Sequence, residues 1–352
     1  MKISIKTKCD QVKTFILNLI KDYPPNSRIM SEPELSQQLG VSRVTVAKAL
    51  SELVAEGIVY REQGRGTFTA SPSSIPKTNQ IGCLVSSYPY PIMGNPFYSK
   101  IYNAIEEEAR ELGLDVILQS VHERSGVDFV MPSLIDRKQI DGILLVGEIS
   151  KDIVRKIDNL KLKCVIIDNY YDDIALKYVK TENIEGAKSA VDYLLKLGHR
   201  KIAFIGGPLE RNSFSDRYVG YKNALKQAGI KRQKDFEIIG DVNCGYNEAL
   251  IITKLKEKPT AIFAANDAIA LNVIKALKDE NFAVPDNISV IGFDDIEPSS
   301  ETDPALTTLA VDKEKMGKVS VDILKGLIND DRDIESCELG VRLIERKSCK
   351  EV

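Results

Sequence analysis

From about residue 80 onward, short all-apolar runs alternate with longer stretches whose apolar residues recur every three or four positions. IGCLVSS, DVILQSV, GILLVG and CVIID come first; KIAFIGG, FEIIGDV, AIFAAND and ISVIGFDD follow. Runs this short and this uniformly apolar predict strands buried on both faces. FYSKIYNAIEEEARELG and NIEGAKSAVDYLLKLG predict amphipathic helices, each closed by a glycine. Alternation of strands and helices implies parallel sheets covered on both faces. Eight such units exceed one small doubly wound sheet, so the pattern predicts an α/β body with two lobes. Lobe 1 is expected at about 80–181 and 309–330, and lobe 2 at about 182–308 and 331–352.

The first 70 residues follow another rhythm. In SEPELSQQL, Ser31 and Glu34 have capping-box spacing, Leu35 and Leu39 form an apolar edge, and Gly40 ends the helix. Ser42 caps the next helix, and Val41 can staple onto Val46. Val46, Leu50 and Leu53 share the face that must be buried. Two short helices joined by a tight turn make a helix-turn-helix. The second presents Arg43 at its exposed first turn, with Val44, Lys48 and Ser51 on the outer side and Thr45 flanking. Arg suits guanine or phosphate, Thr either, and Val a thymine methyl. EGIVYREQGRGTFTA then reads as strand, tight turn and strand, with Gly64 and Arg65 at the tip of a wing. Gly lets the backbone approach a phosphate or the minor-groove floor, and Arg supplies charge. Residues 71–79, rich in Ser and Pro, read as a linker between head (1–70) and body (80–352).

Composition narrows the classes. The net charge of −3 argues against a nucleic-acid binder until it is divided. Residues 1–70 hold ten Lys/Arg and seven Asp/Glu, so a mildly basic head sits on an acidic body. No apolar run reaches the ~20 residues of a membrane span, and the stretch Phe15–Ile20 is too short for a signal sequence. The six Cys are scattered singly and the His are only His122 and His199, which fits a reducing cytoplasm and no metal or disulfide framework. Enzyme signatures are weak. MGKVS lacks the upstream Gly of a phosphate loop, where Asp312 stands, and no GxGxxG follows a strand. No catalytic residue and no cofactor are expected.

SEPELSQQLGVSRVTVAKALSELVAEGIVYREQGRGTF resembles the winged helix-turn-helix of GntR-type bacterial regulators. The resemblance implies DNA contact by Arg43 and Thr45 in the recognition helix and by Gly64 and Arg65 in the wing. Pro33 stands where that family often has Arg, and Ala47 where it often has a second, which leaves Lys48 as the replacement cation. LGHRKIAFIGGP, AIFAANDAIALNVIKAL, VPDNISVIGFDD and PALTTLAVDKEKMGKVSVDIL are similar to the sensor of LacI/GalR-type repressors, over about 80–347. That sensor has a fold similar to periplasmic sugar-binding proteins, and the combination resembles the arabinose repressor type.

A ligand in an open parallel sheet sits beyond the carboxyl ends of the strands. Phe97 and Tyr98 follow the first strand, Arg211, Ser213 and Arg217 follow FIGG, Asn266 ends FAAND, and Asp294 ends VIGFDD. Aromatic faces and bidentate polar partners suit a compact, hydroxyl-rich molecule. By resemblance, Arg217, Asn266 and Asp294 are the strongest candidates, Phe97 and Tyr98 stack, and Arg211 and Ser213 tune acceptance. Arg217 and Asp294 can also simply pair with each other across the lobes, and Phe97 can belong to the core. Asp267 reads as a helix cap, Asp295 as a turn residue and Glu148 as solvated. Val242 and Asn243 stand where the family often has an aromatic. The expected protein is a homodimeric regulator, a repressor of sugar uptake or breakdown that binds pseudo-palindromic operator DNA and a monosaccharide such as L-arabinose. A receptor for a purine or another metabolite, or a sugar-phosphate enzyme, are the alternatives. No hinge helix is visible in residues 70–80, so a signal must pass through the linker or direct contacts.

Overall fold

The computed structural model describes residues 7–20, 23–55, 57–70, 77–86, 94–121 and 140–352. His122 and most of the linker, residues 71–76, lie outside them. The chain divides into two compact units, residues 1–78 and 79–352.

In the first unit, α1 (Lys8–Leu19), α2 (Glu32–Leu39) and α3 (Arg43–Ala55) precede a hairpin of β1 (Val59–Glu62) and β2 (Gly66–Thr69). Ser31 opens α2 by donating its N–H and its hydroxyl to the Glu34 carboxylate, each at 2.7 Å. Gly40 leaves that helix in the left-handed region, which a residue with a Cβ enters at a cost. Ser42 Oγ then accepts the Thr45 N–H at 3.2 Å and starts α3. Val12, Ile16, Leu35, Val46, Leu50, Leu53 and Val59 form the small core. The periodic apolar face of α3 is thus buried, and its opposite face is left outside.

The second unit holds two six-stranded sheets. The first contains β3 (Gln80–Ser86), β4 (Asp115–Val121), β5 (Gly142–Val146), β6 (Lys163–Ile167), β7 (Lys177–Thr181) and β13 (Cys337–Leu339), in the order β4-β3-β5-β6-β7-β13. All its pairings are parallel. The second contains β8 (Ile202–Gly206), β9 (Glu237–Ile239), β10 (Ala261–Ala264), β11 (Ser289–Asp294), β12 (Thr307–Val311) and β14 (Val341–Ile344), in the order β9-β8-β10-β11-β12-β14. Only the edge strand β14 runs antiparallel to its neighbour. Helices α4 (Pro96–Glu111) and α5 (Lys151–Asn159) belong to the first lobe. Helices α6 (Asn183–Lys196), α7 (Asn212–Gln227), α8 (Tyr246–Lys254), α9 (Asp267–Asp279) and α10 (Pro298–Glu301) belong to the second. Helix α11 (Lys313–Ile328) returns to pack on α4, β5, β6 and β7.

Two expected boundaries are corrected. The return falls after Val311, because β12 hydrogen-bonds to β11 in the second sheet. Residues 331–339 do not join lobe 2 as a block, because Cys337–Leu339 extends the first sheet beside β7. Among the described residues, the chain therefore crosses between lobes before α6, before α11 and at Gly340. Periodicity cannot see the third crossing, since CEL and VRLI are too short to show a pattern.

Candidate functional site

In the first unit, Arg43, Val44 and Lys48 of α3 are all exposed. Val44 is 79% exposed, which no packing requirement explains for a β-branched apolar residue. Thr45 is half-buried, with its hydroxyl 2.8 Å from Ser42 Oγ. Lys48 lies close enough to Cys9 of α1 to act on its thiol, which places it on the α1 side of the helix. At the wing, Gly64 adopts φ +76° with open space around it, and Arg65 Nη1 meets Glu62 Oε2 at 2.6 Å while remaining 74% exposed. The six head residues singled out by sequence therefore lie on α3 and on the wing tip.

In the second unit, a cavity of about 210 Å³ opens where the two lobes face each other. Phe97, Tyr98, Arg211, Ser213, Arg217, Asn266 and Asp294 all line it. Asn95 Oδ1 accepts the N–H groups of Phe97 and Tyr98, at 3.0 and 3.3 Å, and so fixes the first turn of α4 against the cavity. Phe97 is mostly buried and packs edge-on to Tyr98, with centroids 5.1 Å apart. It is thus both core and wall.

Arg217 on α7 is 3% exposed. Its Nε donates to Asn183 Oδ1 at 2.8 Å and its Nη1 to the Ala265 carbonyl at 2.7 Å, while its guanidinium lies 3.8 Å from the Phe293 ring centroid. Nη2 stands 3.0 Å from Asp294 Oδ1. The two do pair, but within lobe 2 rather than across the lobes, because α7 and β11 belong to the same lobe. Lys313 donates to the main-chain oxygens of Asp294, Asp295 and Val311 and braces this corner. Burial pushes the Asp294 carboxyl above the usual range, against the opposing pull of Arg217 and Lys313. Asn266 Oδ1 caps α9 by accepting the Ile269 N–H at 2.9 Å.

Asp267 does not cap that helix. It is fully buried and accepts from Ile296 N–H (3.0 Å), Ser299 Oγ (2.7 Å) and Thr308 Oγ1 (2.5 Å), tying α9 to β12 and to the loop after β11. Asp295 sits at φ +52° and pairs with Arg346 at 2.7 Å. Glu148, read from sequence as solvated, lines the cavity.

Asp168 is the residue that sequence reasoning passed over. It ends the run CVIID at the carboxyl end of β6, where a ligand group belongs, and that position was the available signal. Its Oδ2 accepts the Tyr98 hydroxyl at 2.9 Å, and its Oδ1 is buried with no hydrogen-bond partner among the described residues. Burial raises its pKa to about 7; the nearby Arg217 lowers it and Asp294 raises it. A buried acceptor without a partner costs free energy, and this one stands in a residue that lines the cavity.

Residues 9–69 match the bacterial regulatory proteins of the gntR family, and residues 191–349 match the periplasmic binding protein-like domain. The chain is 28% identical over 332 residues to the HTH-type transcriptional repressor PurR of Photorhabdus laumondii, across 90% of this chain and 95% of that protein. It is 29% identical over 307 residues to the ribose operon repressor of Escherichia coli, across 83% and 91%. Among solved structures, the lac repressor dimer bound to operator and the anti-inducer ONPF is similar with a TM-score of 0.67 and 26% identity, over 77% of this chain and 94% of that one. A regulatory protein of the LacI family from Chloroflexus aggregans shares the fold, with a TM-score of 0.70 at 23% identity, over 77% and 99%. The chain is a GntR-type helix-turn-helix domain joined to a periplasmic-binding-protein-like sensor domain. That sensor is of the LacI type.

Proposed function

We propose that the protein is a ligand-responsive transcriptional repressor that acts as a homodimer on operator DNA and senses a small carbohydrate. The observation that carries this is the pairing, on one chain, of a recognition helix with an unburied Arg43–Val44 face and a cavity walled by both lobes. A cavity of about 210 Å³ fits a compact molecule better than an extended one. Its walls offer aromatic edges, the carboxylates of Glu148, Asp168 and Asp294 and the amides of Asn95, Asn243 and Asn266, which match ring hydroxyls. A pentose such as L-arabinose has the size and donor count for them.

Closure of the lobes around such a ligand changes which body conformation is favoured, and coupling of ~1–3 kcal/mol changes operator affinity about 5–150-fold. Two heads of a dimer read half-sites about one helical turn apart, or a multiple of that. The cleft groups have hydrogen-bonding roles, and the relatives are repressors, so catalysis has no part in the reading.

The test is DNA binding by the purified protein to genomic fragments, with and without a panel of pentoses and hexoses. A retained fragment whose affinity changes with one sugar supports the whole reading. Binding that ignores every sugar removes the carbohydrate, and absence of any bound fragment removes the regulator. Sedimentation at working concentration checks the dimer.

A further inference from the structure

The wing is not a two-stranded hairpin alone. Ser27–Ile29 runs along the free edge of β2: Ile29 N–H donates to the Thr67 carbonyl at 2.9 Å, Thr69 N–H to the Ser27 carbonyl at 2.8 Å, and Arg28 bridges Phe68 in antiparallel register. Phe68 in turn pairs with Tyr60 of β1, and their rings stack at 5.6 Å. Residues directly opposite one another in antiparallel pairs share a face. Arg28, Phe68 and Tyr60 therefore lie on one face, while Ile29, Thr69 and Val59 are buried on the other.

Arg28 is exposed, and its side chain runs along the outer face toward the wing tip. Its Nε lies 3.1 Å from where a Cβ on Gly66 would stand, and Gly66 adopts φ +119°. The positive φ favours glycine there, and the Arg28 guanidinium lies over the space that its missing Cβ leaves. Glu34 is near enough to feel the Arg28 charge, but both the N–H and the hydroxyl of Ser31 hold that carboxylate. No salt bridge to Arg28 occurs among the described residues. Besides Arg65 at the tip and Arg61 of β1, which pairs with Glu32, the wing thus presents a cation at Arg28, bridged to Phe68 and lying beside Gly66.

We infer that Arg28 and the outer face of this three-stranded wing form a phosphate-binding surface for the backbone of double-stranded DNA. The Arg28 guanidinium lies beside Gly66, exposed and without an ion pair among the described residues, and its planar fork of N–H donors suits a phosphate oxygen pair. The contact carries no base information: it sets affinity and register, leaving sequence reading to α3.

This inference rests on the DNA-binding reading above, and one experiment separates the two. Binding of the full-length protein is measured by fluorescence anisotropy on a duplex selected from genomic fragments and on an unrelated duplex of equal length, across a series of salt concentrations. Arg28→Gln and Arg28→Lys are compared with the unaltered protein, with thermal unfolding as the control for folding. For Arg28→Gln, the slope of log affinity against log salt should shrink by about one on both duplexes, with an unchanged melting temperature. Arg28→Lys should retain most of the slope. An unchanged slope in Arg28→Gln overturns the phosphate contact, as does a loss confined to the selected duplex, which makes Arg28 a base reader. If the unaltered protein binds neither duplex, the regulator reading itself fails and the inference goes with it.

Discussion

The Tyr98 hydroxyl donates to Asp168 Oδ2 at 2.9 Å, joining the first turn of α4 to the end of β6 at the floor of the cavity. This bond holds one carboxylate oxygen and leaves the other buried without a hydrogen-bond partner among the described residues. Tyr98→Phe removes the donor without changing ring volume. A hydrogen bond to a charged group contributes about 1.5–3 kcal/mol to stability, so the sensor should unfold more easily by about that amount. Chemical denaturation checks it; unchanged stability means that the bond contributes nothing net.

Asp168 should also make recognition depend on pH. With its pKa near 7, the carboxyl is largely protonated in mildly acidic solution and ionised in mildly alkaline solution. Ionised acceptors make the stronger bond to a neutral hydroxyl. Affinity for a neutral sugar should rise as pH increases through about 7 and then level off, and Asp168→Asn should flatten the profile. Stability moves the other way. The folded pKa lies above the ~4 of an unfolded aspartate, so the contribution is complete below about 4 and is lost as pH rises through about 7. The wild type should therefore lose melting temperature relative to Asp168→Asn over that window.

Asp267, pushed up to about 7 by burial, accepts three hydrogen bonds that join α9, β12 and the loop after β11. Asp267→Ala leaves a buried N–H and two hydroxyls without that acceptor. Unfolding of the sensor should become easier by roughly 3 kcal/mol. Calorimetry on the whole chain should show the loss in the transition of residues 79–352, with DNA affinity at low temperature kept.

Helices α6 and α7 approach closely at Gly220, where an added Cβ would collide with the Ile184 carbonyl oxygen and stand 2.8 Å from Ala187 Cβ. Backbone cannot yield as a side chain end can. Gly220→Ala should destabilise the second lobe by about 1–3 kcal/mol, the usual range for overpacking, as measured by chemical denaturation.

At the head, Arg43→Ala should weaken binding to a selected duplex about 10–100-fold, corresponding to ~1–3 kcal/mol for a bidentate base contact, while calorimetric ligand affinity stays unchanged. Equal weakening on all duplexes would make Arg43 a phosphate contact instead.

The legible part of this protein lies in its local patterns. The capping box at Ser31, the αL glycine at Gly40 and the apolar face of α3 are encoded within a few residues, because helix starts and stops depend on nearest neighbours. The cavity residues were readable because Phe97, Arg211, Asn266 and Asp294 all follow strand ends, where parallel sheets expose their crevice. Tertiary structure alone decided the rest. It put Arg217 beside Asp294 within one lobe, returned Cys337–Leu339 to the first sheet, and enclosed Asp168 so that its pKa rises. Each of these depends on residues far apart in sequence, and neither the pairing of edge strands nor the desolvation of a carboxyl leaves a periodic trace in the chain.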